Sequence, residues 1–271
     1  MRGAFALLLL GALGIAAHGQ PPASSTSAET AEAGAAETGA RQLYEVRRYV
    51  VGEEVDWIAL DRYLSDVLFP ALRRAGAGPI GLFAPAEGAE SQDRFVIITY
   101  ERAEQIPAVR DQLREDQQFI EATSTIEAGV PARPMYDRIQ SELLVAMEVM
   151  PTAKPAEGAN AAASRVYELR TYESGSEKLG DRKVEMFNRG EVPIFLDSGI
   201  EPVFLGQAVL GPHTPSLTYL SVYPDDAARQ QAWKTFIAHP DWKKLSGEAY
   251  YAGTVSKIYK FVLRSLPNSQ L

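Results

Sequence analysis

The chain states one pattern twice, 123 residues apart. Tyr44-Glu45-Val46-Arg47-Arg48-Tyr49 recurs as Tyr167-Glu168-Leu169-Arg170-Thr171-Tyr172. Without any gap, Gly52 then falls on Gly175, Pro70 on Pro193, Gly76 on Gly199, Pro79 on Pro202, Leu82 on Leu205 and Tyr100 on Tyr223. From Tyr44 to Tyr100, twelve positions match their counterparts, where average residue frequencies give about 3–4 by chance. The duplication restricts a chain of 271 residues to two equivalent modules of modest size.

Each module reads β-α-β-β-α-β. In the first, Leu43–Val50 alternates as a strand, and apolar residues recur at helical spacing through Val55–Ala75. Gly76 stops that helix, and Pro70 kinks or ends its last turn. Pro79–Ala84 and Arg94–Glu101 read as strands, Pro107 to Ala122 as a helix, and Ile139–Val149 as a last strand. The second module repeats the order with strands at Val166–Glu173, Val203–Gln207, Leu217–Tyr223 and Thr254–Leu263, and helices at Lys178–Ser198 and Asp226–Ala238. That order is the ferredoxin-like split βαβ, whose helices cover only one face of the sheet. The predicted fold is therefore α+β: two tandem ferredoxin-like βαββαβ units packed sheet-to-sheet as a pseudo-dimeric α/β barrel. A monomeric pseudo-dimer and a homodimer both satisfy the pattern.

Outside the modules, Arg2 precedes an apolar run from Phe5 to Ala17 and then His18-Gly19, the layout of a secretory signal peptide over residues 1–19. The run falls short of the ~20 residues that span a bilayer. The expectation is a secreted or periplasmic protein with no membrane span after cleavage. Residues 20–40 are small and polar, without aromatics, and read as a disordered tether. Residues 41–150 and 165–266 are the two units, and 151–164 (PTAKPAEGANAAAS) is a linker. A formal charge of −8 without clustered Lys or Arg argues against nucleic acid as a partner. With no cysteine there is no disulfide and no thiolate chemistry.

The Tyr167-Glu168-Leu169-Arg170-x-Tyr172 strand, the Pro193…Ser198-Gly199-Ile200 helix end and the His239-Pro240-Asp241-Trp242 segment resemble the NIPSNAP family. The resemblance covers Val166–Leu263 well and Leu43–Val149 more weakly, since the first unit has Asp116-Gln117-Gln118-Phe119 in place of the His-Pro-Asp-Trp segment. It implies membership of the dimeric α/β-barrel superfamily of ferredoxin-like modules. That superfamily also holds cofactor-free monooxygenases and haem-degrading enzymes, so the fold alone does not fix an activity.

Strand alternation puts Glu45, Arg47 and Tyr49 on one face of their strand, and Glu168, Arg170 and Tyr172 on the matching face of theirs. The more apolar face is expected to lie under the helices, which turns the Glu/Arg/Tyr face toward the barrel lumen. Tyr219 and Tyr223, matched by Val96 and Tyr100, give the second unit the more polar wall. These eight side chains are the candidate ligand-binding set, as acid–base and anion-binding groups or as structural ion pairs bracing the barrel. His239, Asp241 and Trp242 read as a turn, with Asp241 capping the next helix and Trp242 buried. His213 and His239 show no spacing that suggests a metal site, so neither metal nor cofactor is expected. No phosphate loop or nucleophile elbow is present. The sequence thus points to binding of a small molecule or a protein partner through the barrel. The alternative is a cofactor-free, monooxygenase-like enzyme acting on an aromatic or electron-rich substrate in the lumen.

Overall fold

The computed structural model describes residues 40–53, 55–129, 134–156 and 164–271. The segment read as a signal peptide, the tether up to residue 39 and linker residues 157–163 lie outside the described residues. The first unit comprises β1 (Leu43–Val50), α1 (Trp57–Arg62), a π-helical segment (Tyr63–Leu68), α2 (Phe69–Arg74), β2 (Ile80–Pro85), β3 (Arg94–Tyr100), α3 (Gln105–Glu115), α4 (Gln117–Gly129) and β4 (Arg138–Ala146). The second comprises β5 (Val166–Glu173), α5 (Glu177–Met186), a π-helical segment (Phe187–Glu191), α6 (Val192–Asp197), β6 (Glu201–Leu210), β7 (Ser216–Tyr223), α7 (Asp226–Ala238), α8 (Pro240–Ser246) and β8 (Lys257–Ser265). The repeat holds down to local detail. Both π-helical segments sit just ahead of the paired prolines, and Gly76 and Gly199 end the two helices with φ of +79° and +82°.

Two helix expectations need correction. Pro70 does not end its helix; like Pro193, it opens an α-helical turn after a π-helical segment, where the backbone register is already shifted. The helix predicted from Pro107 to Ala122 is two helices. Asp116 leaves helical backbone geometry, with ψ of 98°, and its Oδ1 caps the next helix by accepting from the Phe119 N–H at 3.0 Å.

The strands close into one antiparallel barrel in the order β1-β3-β2-β8-β5-β7-β6-β4. Each unit taken alone has the order β4-β1-β3-β2 or its equivalent, with two free edges. Free edges expose unpaired N–H and C=O groups, and closure removes them. The seams are β2 with β8, where Phe83 faces Ser265, and β4 with β6, where Val145 faces Gln207. At the second seam the sheet comes so close that a Cβ on Gly206 would stand 2.7 Å from the Leu144 Cβ. The early linker is bonded too: the Lys154 N–H donates to the Val203 carbonyl at 2.8 Å.

Three apolar clusters result. One draws on all eight strands, with Tyr44, Val46, Phe83, Phe95, Leu144, Tyr167, Leu169, Phe204, Leu220 and Leu263, and contains no helical residue. It fills the lumen, with ring pairs Tyr44–Phe204, Phe83–Tyr167 and Phe95–Phe261 at 4.7, 4.9 and 4.8 Å between centroids. The Leu271 side chain is buried there as well, and its carbonyl accepts from the Tyr167 hydroxyl at 3.2 Å. The other two clusters each join the outer face of one unit's strands to that unit's helices, with Leu266 of the second unit reaching the first cluster and Met147 and Met150 of the first unit reaching the second.

The expected facing of the strands is therefore reversed. Glu45, Arg47, Tyr49, Glu168, Arg170, Tyr172, Tyr219 and Tyr223 lie on the outer face beneath the helices, and the Tyr/Val/Leu face fills the lumen. The reason is the supply of partners. A closed lumen offers little to solvate a buried charge, whereas the helical layer brings its own guanidinium and indole groups to the carboxylates. Packed rings occupy the middle of the lumen, so the eight candidate side chains do not line it.

Candidate functional site

Beneath α3, Glu45 accepts from Arg47 Nε at 2.8 Å, from the Tyr100 hydroxyl at 2.9 Å and from Arg110 at 3.3 Å. Burial raises the Glu45 carboxyl, but Arg47 and the Tyr100 hydrogen bond outweigh it and hold the group below its ordinary range. The second unit keeps the carboxylate and changes its partners. Glu168 accepts from Arg229 at 2.8 Å and from the Trp233 indole N–H at 3.0 Å, both from α7, and Arg170 stands 3.5 Å away. Arg170 stacks on the Trp233 ring at 4.0 Å, and its Nε is buried without an acceptor. Burial opposes the Arg170 charge, yet Tyr219, Tyr172 and Glu168 together raise its pKa.

Deeper in the same layer the units part. Lys183 and Glu191 form a buried ion pair at 2.6 Å, and the Tyr172 and Tyr219 hydroxyls are 2.8 Å apart. Burial pushes the Glu191 carboxyl up against the pull of Lys183, and lifts Tyr172 to about 12 and Tyr219 further. The phenols are therefore neutral hydrogen-bonding groups at physiological pH. At the matching positions, 123 residues earlier, the first unit has Leu60, Leu68 and Val96, all buried in the same kind of interface. One copy packs this layer with aliphatics, and the other fills it with a cation, an anion and a phenol.

An open cleft of about 650 Å³ borders the layer, lined by the 85–91 loop, Asp226, Arg229 and Lys260 among others. Arg229 belongs to both, since it lines the cleft and holds Glu168. Of the sequence candidates, Glu168, Arg170, Tyr172 and Tyr219 are gathered in one network. Tyr223 bonds Ser221 at 3.0 Å beside it, and Glu45, Arg47 and Tyr49 form a separate network in the first unit. His239, rather than Asp241, caps α8: its Nδ1 accepts from the Asp241 N–H at 3.2 Å, and Asp241 points to solvent. Asp241 still favours the helix start by its charge. Trp242 is half-buried against Phe236, at 4.4 Å between rings. Lys183 and Glu191 were overlooked in the sequence because they fall in an ordinary helical period. The signal that reveals them is the repeat itself, which pairs them with leucines. Among the described residues no metal-ligating group of three His, Asp or Glu side chains forms, and no helix is long and apolar enough to cross a membrane.

Residues 167–270 match the NIPSNAP family model. Among solved structures, the chain resembles a candidate monooxygenase from Fusobacterium nucleatum, at 10% identity over 84% of this chain and 93% of that one, with a TM-score of 0.54. It also resembles an anthrone oxidase-like protein, at 10% identity over 84% and 93%, with a TM-score of 0.52. A NIPSNAP-like domain protein from Burkholderia xenovorans matches at 17% identity over 38% of this chain and 87% of its own, with a TM-score of 0.35. At 10% identity the likeness to the first two is one of fold. No curated protein matches the chain.

Proposed function

We propose that this chain, whose second unit is a NIPSNAP domain, binds a small molecule in the polar layer between the second unit's sheet and helices, while the first unit is its structural partner. The observation that carries this reading is the contrast of Lys183, Glu191 and Tyr219 with Leu60, Leu68 and Val96. In the first unit aliphatic side chains serve at the equivalent positions. Burying an ion pair where apolar residues serve is often neutral or costly for stability, so its presence argues for a task other than folding. The unpartnered Arg170 Nε between Trp233 and Tyr172 suits a ligand with an acceptor oxygen on an aromatic body. The ligand would enter from the cleft at Arg229.

The test is to copy the first unit into the second with Lys183→Leu, Glu191→Leu and Tyr219→Val together. The variant is expected to fold with a Tm equal to or above that of the parent. Mass spectrometry under native conditions is expected to find a co-purifying small molecule on the parent alone. A triple variant that loses cooperative unfolding would show the charged layer to be structural and end the proposal.

A second reading rests on the hydrogen-bonded phenol pair, Tyr172 and Tyr219, beside the Arg170 cation. In it the same layer supports cofactor-free oxidation of an electron-rich aromatic substrate, in line with the anthrone oxidase-like fold neighbour. Oxygen uptake with phenolic substrates that persists unchanged in Tyr219→Phe and Arg170→Ala would remove it.

A further inference from the structure

Glu142 on β4 is buried at one end of the barrel, far along the strand from the plugged end that holds Leu271. Its carboxylate accepts from Thr218 Oγ1 at 2.9 Å and from Ser216 Oγ at 3.3 Å, and Thr218 in turn meets Thr171 at 2.7 Å. The other buried carboxylates each face a cation: Glu45 with Arg47, Asp93 with Arg48, Glu168 with Arg229 and Glu191 with Lys183. Among the described residues, Glu142 has none. An unpaired buried charge is costly, and a protein that keeps one in place of Gln needs an occasion for it.

The surroundings supply that occasion. Glu142, Thr171 and Thr218 line a cavity of about 40 Å³ with Phe95, Phe261 and Tyr259 on its walls and His213 at its rim. The volume holds a few water-sized atoms. Aromatic faces here already attract cations: Arg48 lies 4.8 Å over Phe261 and Lys257 4.6 Å over Tyr259. Those two cations have acidic neighbours of their own. Arg48 Nε is 2.6 Å from Asp93, and Lys257 feels Glu173, which also accepts from Tyr259 at 3.0 Å. His213 stacks on Tyr259 at 3.9 Å, and burial lowers its pKa, which leaves it neutral in basic solution. Arg48 also lines the cavity, but its charge is met by Asp93, so the carboxyl at this end of the barrel without a cation partner is that of Glu142.

We propose that the Glu142 end of the barrel is a binding site for a small monovalent nitrogen cation, either ammonium or the head of a primary amine. The carboxylate and the Thr218 and Thr171 hydroxyl oxygens would accept the N–H groups, with the rings as the walls of the cavity. This site is distinct from the polar layer under α7 and does not depend on it.

The test is calorimetric titration of the full chain at pH 8 with ammonium chloride and with methylammonium chloride, against sodium and tetramethylammonium chloride. Binding of ammonium but not methylammonium identifies a free ion, and binding of both identifies an amine head. Either result is expected to weaken about tenfold or more in Glu142→Gln, the effect of losing a charge-assisted hydrogen bond. Thr218→Val serves as a second variant with weakened binding and an intact carboxylate. Heats that match the sodium control, or that persist unchanged in Glu142→Gln, would overturn the proposal. A heat from tetramethylammonium equal to that from methylammonium would do the same, since that ion has no N–H to donate.

Discussion

A carboxyl group on the wall of a closed barrel either keeps its proton or carries a charge without its hydration. For Glu142 the balance falls near neutrality: burial raises its pKa to about 7, against the downward pull of its Thr218 and Ser216 hydrogen bonds. The sign of the consequence follows from linkage. A folded-state value above the unfolded one stabilises the protein at low pH, and that contribution is lost as pH rises through about 7. Relative to Glu142→Gln, the parent should therefore lose on the order of 2–3 kcal/mol of stability between pH 5 and pH 8. Thermal or urea unfolding of both proteins at the two pH values measures it. Parallel pH profiles would show that Glu142 is charged throughout. Saturating ammonium, if it binds as proposed, should narrow the gap at pH 8 by mass action.

At the scale of the element, the outcome turns on strands that are buried on both faces. Alternation in Tyr-Glu-Leu-Arg-Thr-Tyr correctly sorts which side chains share a face, but both faces are covered, one by rings and the other by helices. Periodicity has no sign, so it cannot say which face is inside. The partners decide, and they come from α3 and α7, more than sixty residues further along the chain. Helix boundaries failed for a similar reason: Asp116 breaks a continuous helical period by capping with its own carboxylate. Glu142 was illegible because it lies beyond the stretch where the repeat aligns clearly, in a strand whose other residues look ordinary. The Glu168 link also shows what holds α7 down, since Arg229 and Trp233 both donate to that one carboxylate. Glu168→Ala leaves the Trp233 indole N–H without its acceptor and takes the carboxylate from Arg170, while Arg229 keeps only Asp226. It should cost roughly 3 kcal/mol, as expected when one partner of a buried pair is removed. Hydrogen exchange is expected to show α7 losing protection before the barrel strands. Uniform loss across the molecule would contradict a local anchoring role.

At the scale of the whole molecule, the duplication explains why neither half is a finished object. The lumen cluster takes residues from every strand, and each unit's β-sheet would end in two bare edges without the other. The apolar faces that meet in the lumen would stand open on an isolated half, alongside edges primed for pairing. The helical layers, by contrast, are drawn mainly from within each unit, with Leu266 added to the first and Met147 and Met150 to the second. There the two units differ in having aliphatics in one and charged and phenolic groups in the other. Residues 41–150 expressed alone are therefore expected to self-associate into dimers or aggregates and to give no monomer with cooperative unfolding. Co-expression with residues 164–271, which include Leu271 and its bond to Tyr167, should recover a one-to-one complex. Analytical ultracentrifugation with thermal unfolding distinguishes these states. A stable, monomeric, cooperatively folding 41–150 would mean that the halves are autonomous and that closure of the barrel contributes little. It would also remove the ground for reading the first unit as a structural partner, since a unit that folds alone has no need of one.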